Sequence, residues 1–100
     1  MSLHVEIRGS RHGSLPLVCL HGWGLNLRVF DGLEDLLVAS REVHAVDLPG
    51  HGASPWIPER ATLAAQAEQI LDVLPDRCAL LGWSLGGQLA LHLAANCPGR

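Results

Sequence analysis

One hundred residues and 10.7 kDa are enough for one small domain and too few for two. A hydrophobic fraction of 48% against 17% charged, with a mean hydropathy of +0.22, describes a chain that builds a core, and this excludes a disordered polymer. The net charge is −3 and all seven basic residues are arginines scattered along the chain, so no cationic groove for nucleic acid is expected.

No apolar run approaches the roughly 18 residues of a membrane span. The start, Met1-Ser2-Leu3-His4-Val5-Glu6, has no basic segment leading into an apolar one, so no secretory signal is expected and the location expected is cytoplasmic. Cys19, Cys78 and Cys97 are odd in number and form no C-x-x-C pair, and Cys19 and Cys78 lie inside apolar strand-like runs. They read as buried, reduced thiols rather than disulfides, and no metal site is expected from their spacing.

In chain order, residues 3–8 alternate apolar and polar, the period of an exposed or edge strand. Gly9 to Ser14 reads as a turn. Residues 15–20 are continuously apolar, as in a strand covered on both faces, and His21-Gly22-Trp23-Gly24 breaks the run. Between Leu27 and Ala39 the positions Val29, Phe30, Leu33, Leu36 and Leu37 form one stripe at helical spacing. Residues 42–48 read as a second inner strand, followed by a loop through Pro49-Gly50-His51-Gly52 to Pro58. Leu63, Ala67, Ile70, Leu71 and Leu74 make a second helical stripe with Thr62 as its N-cap, ended by Pro75-Asp76. Residues 77–82 make a third inner strand. Leu85, Leu89, Leu93 and Cys97 fit a third helix, stopped by Pro98-Gly99. Alternating strands and helices predict an α/β domain, a mostly parallel sheet flanked by helices on both faces.

Gly82-Trp83-Ser84-Leu85-Gly86 matches G-x-S-x-G, between a predicted strand and a predicted helix. Such a turn holds its serine in a strained backbone conformation and lifts the hydroxyl clear of its neighbours. Gly82 and Gly86 are needed where side chains would collide across the turn, and Gly87 is expected to let the helix lie close to the sheet. The helix N-terminus offers free N–H groups to a developing oxyanion, notably that of Leu85. A serine that merely caps an ordinary βα turn is the alternative. A second oxyanion donor is expected from the loop after an adjacent inner strand, where His21-Gly22-Trp23-Gly24 stands. Trp23 is the candidate donor, its indole either walling a pocket or packing in the core. His21 is expected to organise the loop by hydrogen bonding. A nucleotide-binding βαβ unit is disfavoured, since Gly22-Trp23-Gly24 is followed by Leu27 where G-x-G-x-x-G needs its third glycine.

Taken together, His21-Gly22-Trp23-Gly24-Leu25-Asn26, Asp47-Leu48-Pro49-Gly50-His51-Gly52-Ala53-Ser54 and Gly82-Trp83-Ser84-Leu85-Gly86-Gly87 resemble the N-terminal part of an α/β-hydrolase. The two tryptophan-containing motifs resemble most the carboxylesterases of biotin synthesis that act on pimeloyl-acyl-carrier-protein methyl ester. The resemblance covers nearly the whole chain but about the first two-fifths of a typical enzyme of roughly 250 residues. It implies Ser84 as nucleophile, Trp23 and Leu85 as backbone oxyanion donors and substrate contacts, and Trp83 as part of the acyl pocket. Asp47 to Ser54 would be a structural loop beside the site, with Asp47 structural rather than the triad acid.

The resemblance further implies a serine carboxylesterase that needs no metal or organic cofactor. It implies an ester substrate carried on acyl carrier protein, and a monomer when complete. Cleavage of thioesters, lactones or carbon–carbon bonds by the same core is the alternative within the enzyme class; a non-catalytic binding module is the alternative outside it.

In this family the acid and then the base follow the serine. After Ser84 there is no Asp or Glu, and the only later histidine, His92, is eight residues along the predicted helix, about 12 Å away. A base must stand about 3 Å from the hydroxyl. His4, His12, His21, His44 and His51 fall outside the family's base position, and His21 or His51 is expected to approach the site without being the base. Residues 1–100 are therefore expected to be a partial core domain, inactive alone, belonging to a longer enzyme; a short inactive relative is the other account.

Overall fold

The computed structural model describes residues 2–10 and 15–96. Its frame is a four-stranded sheet built from β1 (Val5–Arg8), β2 (Leu17–Leu20), β3 (Val43–Val46) and β4 (Ala79–Gly82), in the order β1-β3-β2-β4. β2 runs parallel to both β3 and β4, whereas β1 is antiparallel to β3. The alternating segment thus occupies an edge, and β3, buried at every residue, lies inside. The predicted mostly parallel sheet is the one observed. The turn expected at 9–14 lies partly outside the described residues, as do Cys97, Pro98 and Gly99.

Helices cover both faces. On one, α2 (Leu63–Leu71) and α3 (Leu85–Asn96) pack Ala67, Ile70, Leu89 and Leu93 against Val18, Leu20 and Val46. Thr62 caps α2, its Oγ1 accepting the Ala65 N–H at 3.1 Å, as its side chain and position predict. On the other face, Leu27 and Phe30 meet Cys19, Val43 and Ala45. Burial pushes the Cys19 thiol up to about 11, with the nearby Glu34 charge adding to it. Cys78, expected to be buried, is half-buried just ahead of β4.

The single helical stripe expected from Leu27 to Ala39 is not observed. Asn26 Oδ1 accepts the Arg28 N–H at 2.9 Å and starts a 3₁₀ turn over Leu27–Phe30, and only then does α1 (Asp31–Leu37) begin. The tighter turn shifts the helical phase. Val29 and Leu36 consequently point to solvent, and the inward position goes to Glu34, 1% exposed, whose Oε2 accepts from Arg8 Nη1 at 3.0 Å.

Register positions the site. β2, β3 and β4 end in line, Leu20 opposite both Val46 and Gly82. The segments that follow, starting at His21, Asp47 and Trp83, therefore converge at the carboxyl edge of the parallel strands, where ligand sites of open α/β sheets form.

Candidate active site

Ser84 is the one non-glycine residue with positive φ among those described, at 55°. A left-handed conformation costs an L-residue about 1–2 kcal/mol. It is adopted here because the chain must turn from β4 into α3 within two residues: Trp83 N–H still donates to Leu20 O at 3.0 Å, and Gly86 N–H already donates to His21 O and Trp83 O, both at 3.0 Å. The side chain of Ser84 is exposed.

The turn depends on two glycines. A Cβ on Gly82 would stand 2.4 Å from Gly86 O, and one on Gly86 would stand 2.1 Å from Leu20 O. The expectation for Gly87 is corrected: a Cβ there would come no nearer than 3.4 Å to Gly82 O, so Gly86 is the residue that seats the helix on the sheet.

The loop after β2 lies against this turn. A Cβ on Gly22 would meet Trp83 Cδ1 at 2.8 Å and Ser84 Cβ at 3.4 Å, so Gly22 admits both neighbours. Gly22 O accepts the Leu25 N–H at 3.2 Å, and Gly24 has φ 79°. Residues 22–25 are therefore a type II turn with Trp23 and Gly24 at its centre, the second of which must carry positive φ. The amides of Trp23 and Leu85 donate to no protein atom among the described residues. The Trp23 and Trp83 indoles are 77% and 68% exposed, so neither is a core residue.

His21 is wholly buried and organises the loop as expected: Nδ1–H donates to Gly22 O at 2.8 Å, and Nε2 accepts the Leu48 N–H at 3.0 Å. Acceptance at Nε2 requires the neutral ring, whereas donation from Nδ1–H does not. Desolvation holds its pKa below the ordinary histidine value, against a smaller upward push from the Gly22 carbonyl. Asp47 is a staple. Oδ1 accepts the Leu27 N–H at 2.8 Å and Oδ2 the Ala53 N–H at 2.9 Å, tying the loop after β2 to the loop after β3. His92 is half-buried on α3.

The sequence places His51 in the loop beside the site but assigns it no bonding partner. Its Nδ1–H donates to Pro49 O at 3.0 Å and its Nε2 accepts the Gly24 N–H at 3.0 Å. Its ring meets His21 and Trp23 edge-on, each at a centroid distance of 5.1 Å. The available signal was its place between Gly50 and Gly52, which both adopt positive φ and present one side chain at the tip of the loop.

A mostly parallel α/β sheet with a strained serine at a strand-to-helix turn, facing a glycine-rich loop at the carboxyl edge, defines a hydrolase-type architecture. The chain belongs to the alpha/beta hydrolase fold family, whose sequence model matches residues 16–100. It is 47% identical over its whole length to a pimeloyl-[acyl-carrier protein] methyl ester esterase of Aeromonas hydrophila subsp. hydrophila, and spans 39% of that protein. A protein of the same name from Nitrosomonas europaea is 43% identical across 99% of this chain and 38% of its own length. Among solved structures, a hydrolase from Pseudomonas aeruginosa PA01 superposes with a TM-score of 0.89 at 31% identity, over 98% of this chain and 38% of that one. A thermophilic esterase from Thermogutta terrifontis does so at 0.85 and 29%, over 98% and 37%. The chain thus spans about two-fifths of these relatives. Among the described residues no helix is long and apolar enough to cross a membrane.

Proposed function

We propose that residues 1–100 are the N-terminal portion of a serine carboxylesterase in which Ser84 is the nucleophile. The observation that carries this reading is the Ser84 backbone. A strained conformation at a helix N-terminus, beside two unengaged amides, has no evident use for a capping serine and a direct one for an exposed nucleophile.

In this reading Ser84 Oγ attacks the ester carbonyl carbon as a base from beyond residue 100 takes its proton. The carbonyl oxygen becomes an oxyanion that accepts from the Trp23 and Leu85 N–H groups, the latter at the positive end of α3. Collapse breaks the ester bond, expels the alcohol and leaves an acyl-serine, which water then hydrolyses to the acid. The Trp23 and Trp83 indoles flank the acyl chain. The names of the relatives supply the substrate proposed, pimeloyl-acyl carrier protein methyl ester, which makes methanol the leaving group. The resemblance of the two tryptophan-containing motifs adds the proposed place, biotin biosynthesis. A monomeric, cytoplasmic enzyme belongs to the same proposal.

The test is labelling of the full-length protein with a fluorophosphonate, with methyl-ester turnover measured alongside. Wild type is expected to take the label on Ser84 and to turn over. Ser84→Ala is expected to take no label and to lose activity by a factor on the order of 10⁴ or more. Residues 1–100 alone are expected to give only background turnover. Activity retained in pure Ser84→Ala protein removes the mechanism; a wild type that neither labels nor turns over leaves the non-catalytic binding module.

A further inference from the structure

We infer that His51 is a positioning residue for the oxyanion loop, acting through the Gly24 amide to hold the turn around Trp23 in one form. The inference rests on the reading of Trp23 N–H as an oxyanion donor.

The turn has three peptide units. The first joins Gly22 to Trp23 and contains the Trp23 N–H. In a trans peptide the carbonyl and the N–H point in opposite directions, so fixing Gly22 O fixes the Trp23 N–H. Gly22 O is held by His21 Nδ1–H at 2.8 Å and by Leu25 N–H at 3.2 Å.

The second unit joins Trp23 to Gly24, and its orientation is what separates a type II turn from a type I turn. Glycine at the third position accommodates either. Nothing within the turn therefore selects the observed form. The selection comes from outside, where His51 Nε2 accepts the Gly24 N–H at 3.0 Å. A rotation of this peptide to the type I form would carry the N–H away from His51 and change the Trp23 ψ and Gly24 φ. That disturbs the turn whose Leu25 N–H holds Gly22 O and, through it, the donor amide.

His51 is itself fixed. Its Nδ1–H is committed to Pro49 O, which leaves Nε2 as an acceptor. Gly50 N–H donates to Pro55 O at 3.0 Å, and Asp47 Oδ2 holds Ala53. The His51 ring also abuts the Trp23 indole and the His21 ring. The loop after β3 thus serves as a rigid template for the loop after β2, with one histidine on each flank of Trp23 holding successive peptide units. Preorganisation of this kind matters because displacing a catalytic donor by about 1 Å can lower the rate on the order of 100-fold.

Two substitutions in the full-length enzyme separate the Gly24 bond from the rest of the ring's contacts. His51→Asn places an amide where Nδ1 stands, able to keep Pro49, but is too short to reach Gly24. His51→Gln carries an oxygen at the position of Nε2. His51→Asn is expected to lower kcat by about 10-fold or more with KM little changed, and His51→Gln to recover most of the loss. The label rate on Ser84 should follow kcat. Equal, wild-type kinetics in both variants overturn the proposal, as does a loss that falls on KM, or a His51→Gln enzyme as impaired as His51→Asn while both melt like wild type. A wild type with neither turnover nor label instead overturns the esterase reading, and this inference with it.

Discussion

The two ring nitrogens of His21 are committed to Gly22 O and Leu48 N–H, and no side of the ring reaches water. A second ring proton would face the Leu48 N–H. Desolvation adds to this, and the folded pKa lies below that of the unfolded chain. The unfolded state therefore takes up its proton first as the pH falls. The stability His21 contributes is complete above the unfolded value of about 6.5 and is lost progressively as pH drops from there towards the depressed folded value. The limiting slope for one proton is about 1.4 kcal/mol per pH unit. Urea unfolding of wild type and His21→Gln between pH 8 and pH 5, ranges set by the histidine window, checks this. The variant is expected to be less stable at the upper end and to show the flatter decline, so that the difference between the two proteins shrinks with acid.

The turn from β4 into α3 is where element-scale energetics can be separated from propensity. Alanine is the better helix former by about 1 kcal/mol at an interior position. At Gly87 little opposes this gain, since the added methyl makes an ordinary contact, 3.4 Å from Gly82 O. At Gly86 the methyl would stand 2.1 Å from Leu20 O and 2.6 Å from His21 O, both backbone atoms of the sheet that cannot swing away. Gly86→Ala is expected to destabilise by about 2 kcal/mol or more, as overpacking does, and Gly87→Ala to stay within about 1 kcal/mol of wild type. Denaturant midpoints at constant slope measure both.

The same comparison shows what was legible beforehand. The strand–glycine–serine–glycine–helix order announces the turn, because local sterics alone demand it. Which of Gly86 and Gly87 carries the close approach was not legible, since it depends on where the end of β2 lies. Likewise Val29 and Leu36 read as core because periodicity assumes one continuous helix. The Asn26 cap and the Arg8–Glu34 pair, formed across 26 residues, override that assumption. His51 escaped for the same reason: its partner Gly24 is 27 residues away.

At the scale of the molecule, β4 pairs with β2 on one side only among the described residues. Its open side borders a groove of about 790 Å³ whose walls include Leu74, Leu80, Leu91 and Ala94. Residues 77–82 read as an inner strand, and an inner strand is paired along both edges. An uncovered edge strand beside an apolar helix face is a template for pairing with another chain. A polypeptide of residues 1–100 alone is therefore expected to self-associate at about 100 μM. Leu91 is 72% exposed on α3 and contributes little to the folded core, so charge can be introduced there without unfolding the domain. Leu91→Lys is expected to lower the association measured by sedimentation several-fold while the circular-dichroism melt stays unchanged. If residues 1–100 remain monomeric at that concentration, the groove is not a sticky surface, and the open flank of β4 is tolerated without cover.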